Sequence, residues 1–463
     1  MPERHQWYRS SVAFLALLAA MTGVPALGAA AEAPQAGALS DTEKRIVAEV
    51  DRRQPQALAL LKKAVEINSG TMNLAGVKKV GDLFAAALAD LGLEIRWVDG
   101  ADFDRAGHLV ARRGGSNAPG SSGPHLLLIG HLDTVFEPDD PFQHFDRLDA
   151  GHARGPGVID MKGGDVVIVE ALAALKAVGA LDELQITVVM TGDEEQSGQP
   201  LSLARQALVQ AAGVADIALG FEDGDGDPAT AVVARRGYTG WELRVSAMPA
   251  HSSQIFRDKV GDGAVFEAAR ILDGFRTELA GERYLTFNPA LVVAGTRVDY
   301  DAAGSAGNAF GMANVIAGHA VVSGDLRTLS ADQLASAKER MTKIVSRHLP
   351  GASANIEFTE GYPPLAPTDG NRRLLSMYDR ASRDLGFGSV GAVDPSAAGA
   401  ADISFTAGHV AMALDGLGLM GHGGHTAGET ADLTTLPSQT KRAALLMYRL
   451  RQWQAEPAHA PDP

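Results

Sequence analysis

Two adjacent glutamates close an apolar run, where Ile186-Thr187-Val188-Val189-Met190 leads into Thr191-Gly192-Asp193-Glu194-Glu195-Gln196-Ser197-Gly198. Three consecutive carboxylates repel one another, and a bound cation is the simplest means of neutralising them. Other segments share this layout. Leu126-Leu127-Leu128-Ile129-Gly130 runs into His131-Leu132-Asp133-Thr134-Val135, and the glycine-rich stretch from Gly155 to Gly164 delivers Asp160 into a helical pattern. Further along, Ile217-Ala218-Leu219-Gly220-Phe221 ends in Glu222, and Gly423-Gly424-His425-Thr426-Ala427-Gly428-Glu429 adds a histidine. Two histidines and three carboxylates form a hard and borderline donor set that suits zinc and, less well, manganese or cobalt. The chain has no cysteine, which excludes a Cys-type structural zinc site.

Each piece has a plainer reading when taken alone. Acidic pairs at strand ends are commonly solvated, a histidine after a strand can be a hydrogen-bonded core residue, and Asp160 would also cap a helix. Glu222 competes with Asp223, Asp225 and Asp227 in its own turn, and His425 with His422.

In order and wording the five motifs together resemble the dizinc aminoacylase and carboxypeptidase superfamily, from about Ile67 to Leu450. That superfamily includes glutamate carboxypeptidase of the carboxypeptidase G type, acetylornithine deacetylase, succinyl-diaminopimelate desuccinylase and peptidase T. The resemblance implies two zinc ions per subunit, with cobalt or manganese as possible substitutes, bridged by Asp160. One would take His131 and Glu222, the other Glu195 and His425. It further implies that Glu194 is the general base and that Asp133 orients His131 by accepting its second N–H. Met248-Pro249-Ala250-His251-Ser252-Ser253 resembles the turn whose histidine donates to the tetrahedral oxyanion, often from a partner subunit. Asn314 and Arg327 match residues that bind the substrate's terminal carboxylate, a task suited to the planar guanidinium fork. Two positions depart from the usual wording: Ala317 stands where a proline is common, and Tyr362 where glutamate-releasing members carry arginine.

These side chains need a frame. Strands alternate with helices up to about Gly237: helical patterns at Thr42–Glu66 and Ala75–Leu91, strands at Glu94–Val98, His108–Arg112 and His125–Ile129, then a helix after Asp160. This rhythm predicts an α/β fold with a mostly parallel sheet covered by helices on both faces, whose strand ends converge on one site. From Trp241 a β-α-β-β-α-β succession follows, with helices near 263–279 and 331–348 and strands near Leu291 and at Ala317–Arg327. The expected organisation is a catalytic domain over 40–238 and 360–455 and an inserted α+β lid and dimerisation domain over 239–359. Hinges are expected near Gly237–Gly240 and Glu360–Pro364.

With 463 residues, 46% hydrophobic and 21% charged, the chain can bury two cores. A net charge of −15 without clustered Lys and Arg argues against nucleic acid and against a membrane-surface role. Arg4, His5 and Arg9, the apolar stretch from Val12 to Ala20 and small residues from Ala26 to Ala31 read as a signal peptide over 1–31. The expectation is an exported protein, periplasmic or secreted, off the membrane after cleavage and homodimeric through the lid. Its expected activity is release of a C-terminal amino acid from short peptides or N-acyl amino acids, as in glutamate carboxypeptidase. The alternatives are an N-acyl amino acid deacylase of the acetylornithine type and, more remotely, a metal-free binding protein, which would have no use for Glu194.

Overall fold

The computed structural model describes residues 37–114 and 123–453. The leader expected over 1–31, most of the glycine-serine stretch between Gly114 and Gly123 and the proline-rich tail from Pro457 lie outside the described residues.

A six-stranded sheet carries the molecule, in the spatial order Glu94–Asp99, Gly107–Arg113, Gln185–Thr191, His125–His131, Ile217–Gly220, Met412–Leu414. The last four run parallel to one another, and Gly107–Arg113 joins them antiparallel. Period-two alternation sends successive side chains to opposite faces. Leu126 and Leu128 enter the core beneath the helices Asp41–Val65, Leu74–Asp90, Lys162–Ala177 and Thr435–Leu450. Leu127 and Ile129 enter a second core against Gln206–Ala212. Both faces are therefore covered, which is why these strands read as unbroken apolar runs.

Helix ends follow local chemistry. Ser40 and Glu43 form a reciprocal capping box at the start of Asp41–Val65, with Ser40 N donating to Glu43 at 2.7 Å. Lys162–Ala177 is buried over nearly its whole length, including Lys162 and Asp165, so it lacks the polar stripe of a surface helix.

Residues 239–359 build a separate antiparallel sheet, ordered Thr286–Gly295, His319–Arg327, Thr239–Ala247, Ala352–Thr359. Helices Ala264–Leu279 and Ala331–Val345 cover one face, around a core that includes Trp241, Leu243, Ile271, Phe275 and Met341. The strand expected from Ala317 starts at His319, and the helix expected to reach His348 stops at Val345. A hairpin, Arg297–Asp301 with Ala306–Phe310, is interposed in the expected succession. Its strands are mostly exposed and gave no apolar signal. The two linkers to this segment run side by side, with Tyr238 N donating to Tyr362 O at 2.9 Å. A Cβ on Gly361 would sit 2.2 Å from the Tyr238 carbonyl, so only glycine permits this approach. Among the described residues no helix is long and apolar enough to cross a membrane.

Candidate metal centre

Register aligns the carboxyl ends of the parallel strands: His131 lies opposite Thr191, and Ile129 opposite Gly220. His131, the Thr191–Gly198 turn and Glu222 consequently emerge at one sheet edge. A small antiparallel sheet that the sequence did not announce, Gly421–His422, Thr430–Asp432, His152–Arg154 and Asp146–Arg147, ties the His425 loop to the segment before Asp160.

Two groups of donors result. His131 Nε2 lies 3.0 Å from Asp160 Oδ1 and 3.7 Å from Glu222 Oε1. His425 Nε2 lies 2.9 Å from Asp160 Oδ2 and 3.1 Å from Glu195 Oε2. Within each group the donor atoms are within 4.8 Å of one another, and Asp160 turns one oxygen to each. Among the competing residues, Asp225 accepts instead from Asp227 N and Thr230, and His422 pairs with Thr430 in a strand. His425 itself has φ +60°, a left-handed backbone that few non-glycine residues adopt.

Electrostatics show a site overloaded with negative charge. Burial pushes the Glu194, Glu195 and Glu222 carboxyls above the usual range. Burial opposes a charged His131, but Glu222, Asp133 and Asp160 outweigh it and raise that imidazole well above its ordinary value. Hydrogen bonding to Asp160 and Glu195 pushes His425 up to about 11. The surrounding acids thus favour protons on the imidazoles. Divalent cations would supply positive charge in their place, so one imidazole and two carboxylates per group fit a pair of zinc-type ions.

Further carboxylates hold the ligand-bearing loops. The Asp133 carboxylate accepts the N–H groups of Glu194 (3.0 Å) and Glu195 (3.1 Å) and the Thr71 hydroxyl (2.7 Å). His131 Nδ1 is nearer to the Asp133 carbonyl (3.1 Å) than to its carboxylate (3.5 Å). Asp133 therefore lies nearest His131 through its main-chain carbonyl, while its carboxylate fixes the acidic turn. Glu429 accepts from Gly157, Ile159 and Asp160 at 3.0, 2.9 and 3.2 Å. Asp415, paired with buried Arg235 at 2.7 Å, lies beneath Glu222 N at 3.4 Å.

The expected substrate-handling residues stand apart from these groups. His251 is exposed, accepts from Ser253 N at 3.3 Å and neighbours Asn314, whose carbonyl accepts from Ser252 N at 2.8 Å. Arg327 pairs with Asp325 at 2.9 Å and lies 5.5 Å over the Tyr238 ring. Among the described residues, none of the three makes a hydrogen bond or ion pair with the five candidate ligands.

Sequence reasoning also passed over Arg205 and Asp402, a buried pair at 2.8 Å behind the acidic turn. Asp402 is the only acid between Asp394 and Asp415, a faint signal in an alanine-rich stretch.

A family model described as Peptidase family M20/M25/M40 matches residues 127–449. Carboxypeptidase G2 of Pseudomonas sp. (strain RS-16) is 26% identical over 401 residues, covering 86% of this chain and 90% of the relative. Among solved structures, aminopeptidase PepT of Bacillus cereus superposes with a TM-score of 0.67 at 18% identity, over 86% of this chain and 98% of the other. YXEP of Bacillus subtilis, described as a dinuclear metal-binding M20 peptidase, gives 0.58 at 15% identity, over 86% and 98%.

Proposed function

Because the chain belongs to Peptidase family M20/M25/M40 and is a metal-dependent amide hydrolase, we propose that it releases a C-terminal amino acid from short peptides or N-acyl amino acids. The observation that carries this reading is Asp160, which gives one oxygen to each of two His-carboxylate groups beside Glu194. In this proposal His131, Asp160 and Glu222 hold one zinc ion, and Asp160, Glu195 and His425 the other. Bound there, the pair supplies Lewis acidity toward the scissile carbonyl and acidifies water.

The chain's own residues supply the rest. The Glu194 carboxylate takes the proton of the attacking water as the C–O bond forms, and returns it to the departing amine as C–N breaks. Asp133 holds Glu194 in place through its N–H. We assign His251 to the oxyanion, and Asn314 and Arg327 to the terminal carboxylate, from the inserted segment acting as a lid. That none of the three bonds to the candidate ligands accords with a lid that must close, or with a histidine lent by a second subunit. Met248, Phe256, Phe266, Phe310 and Met312 stand exposed on that segment, which favours a homodimer through it. The basic and apolar pattern of residues 1–31 supports export to the periplasm or medium.

On specificity, the Tyr362 hydroxyl faces the Glu194 carbonyl at 3.1 Å. A cavity of about 630 Å³ lies against that wall, lined by Leu201, Val209, Leu334 and Phe405 and by two cations, Arg205 and Lys338. Arg205 is committed to internal acceptors, and the Lys338 ammonium lies 5.4 Å from the Phe358 ring centre. None of the five candidate ligands lines this cavity. Tyr362 itself offers apolar area and one hydroxyl but no charge for a buried side-chain carboxylate, so neutral or apolar residues should leave at rates at least comparable with glutamate. Kinetics on one N-acyl group joined to glutamate, leucine, phenylalanine and alanine test this. A preference for glutamate above ~100-fold would overturn the specificity reading. Absence of hydrolysis with all four in the zinc-loaded protein would overturn the substrate class.

A further inference from the structure

The turn bearing Glu194 and Glu195 has no regular secondary structure, yet distant side chains hold its main chain. Asp133 accepts the Glu194 N–H at 3.0 Å, and the Tyr362 hydroxyl donates to the Glu194 carbonyl at 3.1 Å. Both polar main-chain groups of one residue are thus fixed by side chains 61 and 168 positions away in sequence. The second of these comes from the linker that leads back from residues 239–359.

Arg205 sets the direction of that contact. Its Nε donates to Asp402 at 2.8 Å, Nη1 to Asp193 at 2.6 Å, and Nη2 to the Asp193 carbonyl and Ser197 Oγ at 3.0 Å each. Nη2 also donates to the Tyr362 hydroxyl. A guanidinium can only donate, so the phenol accepts there; the Glu194 carbonyl can only accept, so the phenol's own proton goes to it and Ser197 Oγ, 3.2 Å away, donates to the phenol. The Tyr362 and Phe405 rings flank the guanidinium at 5.3 and 5.6 Å. Outward from the hub, Asp402 accepts from Thr191 Oγ1 at 2.5 Å and Asp193 from Gly198 N at 2.8 Å. Thr191, Asp193, Glu194, Ser197 and Gly198 are therefore tied to one buried guanidinium directly or through a single intermediary.

Burying two aspartates and an arginine is no efficient route to stability, since well-packed apolar residues do as well or better. What such a network does provide is a single geometry, and proton transfer is steep in geometry. We propose that Tyr362 and Arg205 are positioning residues for Glu194, joining the return linker to the main chain of the proton-transferring residue. This rests on the role assigned to Glu194 above. Neither residue touches the candidate ligands, so metal binding should not depend on them.

The test uses the zinc-loaded full-length protein and whichever of the four N-acyl amino acids it hydrolyses fastest. Tyr362→Phe keeps the ring and removes only the hydroxyl. It should lower kcat by ~10-fold to ~10²-fold, leaving KM within about twofold and zinc content unchanged. Arg205→Lys retains charge but loses the fork and should show the same split; the double variant should be little worse than either, as expected for one unit. If Arg205→Lys does not fold, Tyr362→Phe decides alone. A lowered melting temperature with unchanged kcat in Tyr362→Phe would mean a merely structural role and overturn the proposal, as would loss of zinc. Glu194→Gln separates the two readings. If it remains active, the base assignment fails; if it is inactive while Tyr362→Phe has normal kcat, the positioning proposal alone fails.

Discussion

At the scale of single residues, the two glutamates divide by what they touch. Glu195 lies 3.1 Å from His425 in a donor group, whereas Glu194 belongs to neither group and is held by its main chain. Glu194→Ala should therefore retain both metals and lose at least ~10²-fold in turnover, the deficit of a missing general base. Asp160→Ala, which removes an oxygen from each group, should lose metal instead. Metal analysis beside initial rates distinguishes them: near-normal turnover by a metal-replete Glu194→Ala protein would refute the assignment. The residues that form the two donor groups were legible because each follows an apolar strand or glycine turn. The roles of Asp402 and Arg205, and the hold of the Asp133 carboxylate on the acidic turn, were not, because a buried charge reveals its partner only in three dimensions. Asp133 illustrates the difference, since its carboxylate is spent on the Glu194 and Glu195 amides and its carbonyl faces His131.

At the scale of elements, the parallel strands were legible from their apolar runs, and the helices from their periodicity and caps. Three features were not. The strands Asp146–Arg147, His152–Arg154, Gly421–His422 and Thr430–Asp432 are too short to show any period. The hairpin Arg297–Asp301 and Ala306–Phe310 buries too little to show an apolar face. Glu429, the acid after His425, works on another element: its carboxylate gathers three N–H groups of the Asp160 turn. An amide there cannot match a carboxylate accepting three bonds, so Glu429→Gln should loosen the Asp160 turn. Metal affinity should fall roughly 10- to 100-fold, the usual cost of losing an outer-shell partner. Competition with a chelator measures it, and wild-type affinity in a folded Glu429→Gln protein would show that the turn holds itself.

At the scale of the whole molecule, the chain leaves its central sheet after residue 238, builds a second sheet and core, and returns with His425. The site is incomplete until that return, because Glu195 and Asp160 otherwise have no imidazole on their side. Metal binding therefore reports on the global fold, and its stoichiometry on whether two donor groups share one aspartate. The direct measurement is titration of the metal-free protein with zinc, following hydrolysis of an N-acyl amino acid and bound metal together. Activity should rise to a break at two equivalents per chain, with both ions lost in Asp160→Ala. Full activity at one equivalent, or in the metal-free protein, would contradict a centre of two ions bridged by one aspartate.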